Sequence, residues 1–189
     1  VSSYYNDISC FGANDGNITI NISGGVPNYT INIPPFNQIL LNGVTNYSTQ
    51  ALGPGTYIYY ISDSNSCMKS DTIFINEPSP LTTTPLINDV LCNDENNGSI
   101  LLNTSGGTTP YVEDFGGYNP LQLSAGTYTY LVTDSNNCIT SDTFSINEPD
   151  SLLASSTSSD ATCAGYFDGA ASLNITGGTI PYYTNWNGS

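Results

Sequence analysis

The chain has 189 residues, with 16 acids against a single base, Lys69, and no histidine, for a formal charge of −15. That balance excludes nucleic acid and anionic membrane as partners, because phosphate binding draws on Lys and Arg. It also excludes Ser/His/Asp and Cys/His nucleophilic sets, which need a base. Charged residues make up only 9%, so the surface polarity comes from Asn, Ser, Thr and Tyr, as suits a secreted protein. No run of apolar residues is long enough to span a bilayer, and no signal peptide is visible.

In chain order, residues 1–7 read as a polar lead-in containing Tyr4 and Tyr5, and a first module covers 8–78. Cys10 is followed by Asn14-Asp15-Gly16, a turn signature, then by an alternating strand from Asn17 to Ser23. Gly24-Gly25 breaks it, and Tyr29 to Ile33 is the next strand. Residues 34–50 are long and poorly patterned. Leu52 to Pro78 then reads LGPGTYIYYISDSNSCMKSDTIFINEP. Tyr57, Tyr59 and Ile61 alternate with Ile58, Tyr60 and Ser62, the period of two that marks a strand. Asp63-Ser64-Asn65 turns the chain, Asp71 to Asn76 returns, and Glu77-Pro78 stops the ladder.

The same block recurs at Leu123 to Pro149, offset by 71 residues throughout. A fixed period predicts a tandem array of one small module. Residues 79–89, rich in Ser, Thr and Pro, read as a linker, and module two covers 90–149 with Cys92, Asn97-Gly98, the strand Ile100 to Ser105, Gly106-Gly107 and Pro110-Tyr111. Residues 150–160 read as a second linker. Module three covers 161–189 with Cys163, Asp168-Gly169, Gly177-Gly178 and Pro181-Tyr182, without a G-T-Y hairpin. A half sandwich cannot bury its face, so the expectation is a fragment of a longer repeat array. Trp186, Phe115 and Ile33 each follow a tyrosine by four residues. They are expected as core positions of a sandwich, with a ligand-stacking tryptophan as the alternative.

The spacing L-x-x-G-x-Y, at Leu52, Gly55 and Tyr57 and again at Leu123, Gly126 and Tyr128, resembles the tyrosine corner of immunoglobulin-like and fibronectin-like domains. The fold expectation is all-β, as tandem immunoglobulin-like or fibronectin-like β-sandwich repeats stapled by disulfides. With five cysteines at matching places, the simplest pairing joins Cys10 to Cys67 and Cys92 to Cys138, and leaves Cys163 for a partner past the end. Periodic acids such as Asp63 and Asp134, Asp71 and Asp142, or Glu77 and Glu148 read as turn and strand-end residues before they read as a catalytic carboxylate pair. No enzyme is expected. Asp15, Asp94 and Asp168 sit in oxygen-rich loops and are calcium candidates. The D-x-D-x-D-G spacing is absent, however, and Asp-Gly or Asn-Gly is also a plain hairpin turn, so no cofactor or metal is assigned.

Together the cysteines, the double glycines, Gly55-Thr56-Tyr57 and Gly126-Thr127-Tyr128, Asp63 and Asp134, and the Glu-Pro stops resemble the SprB repeat of giant surface adhesins of gliding Bacteroidetes. Module one departs from it by its long middle and by Val26-Pro27-Asn28-Tyr29 in place of Pro-Tyr. The resemblance implies a filament on the outer membrane, exported by type IX secretion and propelled against a substratum or polysaccharide surface. Its partners would be neighbouring repeats and, through regions absent here, the secretion and gliding machinery. It also implies O-glycans on Asp-Ser/Thr-apolar motifs, here at Thr72 and Ser151. Carbohydrate-binding or spacer modules of a large secreted enzyme, using exposed tyrosines such as Tyr4, Tyr5, Tyr60, Tyr118 and Tyr183, are the alternative, with a static surface fibre as a third reading.

Overall fold

The computed structural model describes residues 1–36 and 38–187. Among them there are fourteen strands and no helix. The first repeat contains β1 (Ser2–Asn6), β2 (Asn17–Asn21), β3 (Tyr29–Asn32), β4 (Ile39–Leu41), β5 (Asn46–Ser48), β6 (Gly55–Ser62) and β7 (Met68–Ile75). They form two sheets, in the orders β1-β2-β5 and β4-β3-β6-β7. Alternation decides which side chains face inward. In β2, Ile18 and Ile20 are buried between Asn17, Thr19 and Asn21. In β6, Tyr59 and Ile61 are buried while Ile58 and Tyr60 face solvent. The inner faces meet in one core of mainly isoleucine, with Ile18 and Ile20 from the first sheet, Ile22 just past the end of β2, and Ile31, Ile61, Ile73 and Ile75 from the second. β-Branched side chains suit such a pleated, half-buried surface.

The stretch 34–50, which includes residue 37 outside the described residues, widens both sheets. β4 pairs with β3 and β5 with β2. Thr49 is buried here. Its hydroxyl accepts from the Ile18 amide at 2.9 Å, and its amide donates to the Ile18 carbonyl at 2.8 Å.

The second repeat contains β8 (Thr82–Asn88), β9 (Ser99–Ser105), β10 (Val112–Asp114), β11 (Gly126–Thr133) and β12 (Ile139–Ile146), ordered β8-β9 and β10-β11-β12. The third holds β13 (Leu153–Ser159) paired with β14 (Ala170–Thr176). The segments 1–7, 79–89 and 150–160, expected as a lead-in and two linkers, therefore carry β1, β8 and β13. Each pairs with the strand after the cysteine loop. In β8 the reason is an alternation of half-buried Thr83, Pro85 and Ile87 with exposed Thr84 and Leu86. Pro85 is tolerated because β8 has a free edge in its two-stranded sheet. Trp186, expected in a core, is 59% exposed, since no second sheet faces β13 and β14 among the described residues.

Two compact units divide the chain. The first is Val1–Thr82 with Thr104–Val112 and Val132–Thr140, and the second is Thr83–Asn103, Glu113–Leu131 and Ser141–Ser189. The first unit therefore contains the first repeat together with the double-glycine loop and the hairpin tip of the second.

Candidate functional site

Each hairpin tip is built around one aspartate. Asp63 Oδ1 accepts from the amides of Asn65 and Cys67, both at 2.9 Å, and its Oδ2 accepts from Val26 at 3.0 Å. Asp134 repeats this. Its Oδ1 accepts from Asn136 at 2.8 Å and Cys138 at 2.9 Å, and its Oδ2 from Thr108 at 2.8 Å. The backbone closes both turns, from Asp63 N to Cys67 O at 3.1 Å and from Asp134 N to Cys138 O at 3.0 Å. Short polar side chains favour such turns because they bond the backbone two residues on. Asp134 is buried. Burial pushes its carboxyl pKa up, but the amides of Cys138, Thr108 and Asn136 outweigh that and hold it below the ordinary carboxylate value. The Asp63 carboxyl is also lowered, first by the Val26 amide and then by Cys67.

The loops that open the repeats are equally uniform. Cys10 O, Cys92 O and Cys163 O accept from Ala13, Glu95 and Tyr166 at 3.0, 3.3 and 3.1 Å. Two residues after each cysteine the backbone is left-handed, at Gly12, Asp94 and Gly165. Asp94 thus serves as a turn residue whose amide donates to Glu148 Oε2 at 2.8 Å, as Gly12 donates to Glu77 at 3.0 Å. Asp15 accepts from the Ser9 hydroxyl and, at 2.9 Å, from the Ser9 amide; Asp168 accepts from the Thr162 hydroxyl and, at 3.0 Å, from its amide. These bonds, the hydroxyl first, lower both carboxyl pKa values. The carboxylates of Asp15 and Asp168 are therefore engaged within their own loops, and among the described residues no group of three or more His, Cys, Asp or Glu is arranged to hold a metal ion.

Tyr57 OH donates to Gly53 O at 3.0 Å and Tyr128 OH to Ser124 O at 2.9 Å, four residues upstream in both cases. A second tyrosine set lies at the double-glycine loops. Tyr29, Tyr111 and Tyr182 donate to the carbonyls of Gly24, Gly106 and Gly177 at 3.0, 2.6 and 2.5 Å. They pin the double-glycine loops, and the signal available was their constant spacing of five residues. These loops receive the chain that precedes the repeat. The Gly107 amide donates to Ser79 O at 2.8 Å, and the Gly178 amide to Asp150 O at 2.7 Å. A Cβ on Gly106 would lie 1.8 Å from Pro80 O, and one on Gly177 2.1 Å from Ser151 O. Only glycine allows this approach at positive φ.

The structure corrects the cysteine pairing. The disulfide joins Cys10 to Cys138, across 128 residues and within the first unit, while Cys67, Cys92 and Cys163 are free and exposed. Asn136 Nδ2 donates to Ser9 O beside it at 3.0 Å. Cys10 cannot reach Cys67 because its loop is tied to Glu77, just past the end of β7, whereas Cys67 precedes the start of β7. Eight residues of strand separate those ends by about 25 Å, and a disulfide needs Cα atoms within about 7 Å. Cys92, tied to Glu148 past the end of β12, is held off Cys138 in the same way. Thr72 and Ser151, the glycosylation candidates, are exposed.

Fold and junction define a tandem array of immunoglobulin-like β-sandwich repeats in which an opening cysteine is bonded to the hairpin of the next repeat. A family model described as SprB repeat matches residues 5–34, 84–112 and 155–189. The chain belongs to the SprB-repeat family, whose modules are of surface-adhesin type. The three matches begin within β1, β8 and β13. No curated protein matches the chain. Among solved structures, the C-terminal 282-residue fragment of intimin, in complex with the intimin-binding domain of the translocated intimin receptor, is similar at 12% identity and a TM-score of 0.48. The alignment covers 82% of this chain and 66% of that one, just under two thirds of its length.

Proposed function

We propose that the chain is a segment of a long adhesin filament displayed on the outer membrane, exported by type IX secretion and used in gliding motility. The observation that carries this reading is the junction that recurs with the repeat, in a chain of the SprB-repeat family. A module whose trailing segment is received by the next module's glycine loop suits a structure whose task is reach. Its partners are neighbouring repeats and a substratum or polysaccharide surface. The charge of −15 favours solubility along such a filament. Glycans on Thr72 and Ser151 belong to the same proposal.

The test is live imaging of the source cells with a fluorescent antibody against this segment. Foci travelling along the cell are expected. Surface label that stays still would replace the gliding reading with a static fibre, and label seen only after permeabilisation would remove the adhesin reading. A second reading, sugar binding, has one observation in its favour: Tyr4, Tyr5, Tyr118 and Tyr183 are all exposed. Retention of the chain on a polysaccharide column, lost on replacing those tyrosines, would select it.

A further inference from the structure

We propose that Cys10–Cys138 is one rung of a register running through the array, in which the opening cysteine of each repeat is oxidised to the hairpin cysteine of the next. Cys92 is then bridged to the hairpin cysteine of the third repeat, the repeat that contains Cys163. The inference concerns covalent architecture and holds for a moving adhesin, a static fibre or a binding module alike.

Three observations carry it. First, a partner in its own repeat is out of reach for an opening cysteine, because β7 or β12 lies between the two loops. Second, both members of a rung are presented identically wherever they occur. The hairpin cysteines 67 and 138 follow aspartates with the same three amide donors, and the opening cysteines 10, 92 and 163 accept the same turn bond.

Third, the contact that sets the register recurs. In the first unit, Gly107 bonds Ser79, and the adjacent Thr108 is bonded both to Asp134 Oδ2 and, through its carbonyl, to the Ser135 amide at 2.9 Å. That chain of bonds brings the hairpin tip, and Cys138 with it, to Cys10. Gly178 bonds Asp150 in the same way in the second unit. The glycine loop of the third repeat is thus seated to deliver its own hairpin to Cys92, which is exposed and free. By the same register, Cys67 is the receiving position for the opening cysteine of a preceding repeat.

The chemistry balances with one co-reactant. Two thiols become one disulfide, and the two electrons and two protons pass to the disulfide of a thiol–disulfide oxidoreductase, which leaves as its dithiol. One cysteine thiolate attacks the carrier to give a mixed disulfide, and the second displaces it.

The test is peptide mapping, without reduction, of the natural full-length protein from its source cells, with free thiols alkylated before lysis. The expected result is a linked peptide pair joining Cys92 to a D-S-N-x-C hairpin downstream of residue 189. Recovery of Cys92 as the alkylated thiol, or linked to Cys67, Cys138 or Cys163, would overturn the proposal.

Discussion

Replacing Asp134 by Asn exchanges one carboxylate oxygen for an amide NH2 and removes the charge, with little change in shape. Two of the three amide donors, Asn136 and Cys138, share Oδ1 at 2.8 and 2.9 Å, and Thr108 alone uses Oδ2 at 2.8 Å. Asn keeps one acceptor oxygen, which best serves the pair, so its NH2 is left facing the Thr108 amide. The loss is one charge-assisted bond, worth about 1.5–3 kcal/mol, plus the weakening of two others from charged to neutral, so a total near 3 kcal/mol is expected. The site is 4% exposed, so water does not replace the lost acceptor. For a unit of this size that corresponds to a fall in Tm on the order of 15 °C. The matching Asp63→Asn change is expected to cost less, because Asp63 is only half-buried and solvent compensates part of the loss. The assay is thermal unfolding followed by circular dichroism across pH. Because the folded pKa of Asp134 is depressed, its contribution is complete above the unfolded carboxylate value of about 3.9 and is lost as pH falls through the folded value. Wild type and variant should therefore differ at pH 7 and converge in acid. A Tm change below about 2 °C at pH 7, or a gap that persists unchanged in acid, would refute the role given to this carboxylate.

Two further outcomes follow from the junction. Gly106→Ala places a Cβ 1.8 Å from Pro80 O, whereas Gly24→Ala, at the same φ of +77°, meets nothing within 4 Å. Urea unfolding should show only the left-handed backbone cost of about 1–2 kcal/mol at Gly24 and a clearly larger loss at Gly106; equal losses would mean that the linker contact contributes nothing. In single-molecule extension from the two termini, reduction should release the 128-residue span closed by Cys10–Cys138, a gain in contour length of roughly 420–460 Å. A gain near half of that would point to a 57-residue loop between Cys10 and Cys67 instead.

The strands were legible wherever alternation was strong. The G-T-Y hairpins, the strand after each turn and the repeat period all follow from side chains that face alternately in and out, and that pattern is local. The opening strands were harder. In Thr82–Asn88 the alternation of Thr83, Pro85 and Ile87 is present, but Ser, Thr and Pro are also what linkers are made of, and only pairing with β9 separates the two. The cysteine partner was not legible at all. In a periodic chain, pairing within a repeat and pairing one repeat onward use the same residues at the same positions, and the choice depends on which end of a long strand each loop occupies. A bond between Gly12 and Glu77 settles that, and it spans 65 residues. The exposure of Trp186 has a related cause: a residue is core only when a second sheet covers it.

The register has a topological consequence that pairing within repeats lacks. Bonds from Cys10 to Cys67 and from Cys92 to Cys138 would leave residues 68–91 outside every covalent loop. Tension applied along the chain would then fall on those residues, and β7 and β8 lie among them. With Cys10 bonded to Cys138, the same residues lie inside a loop, and load that reaches Cys10 passes to Cys138 without running through residues 11–137. Bridging Cys92 to the next hairpin closes a second loop that overlaps the first between residues 92 and 138. Residues 139–162, left loaded by the first bond, are then enclosed by the second. Successive loops overlap in this way only when each bond reaches into the neighbouring repeat, so a pull along the array is carried by the stretch between a repeat's opening and hairpin cysteines, such as 92–138 with β9, β10 and β11, while the chain that joins one small sandwich of marginal intrinsic stability to the next is bypassed.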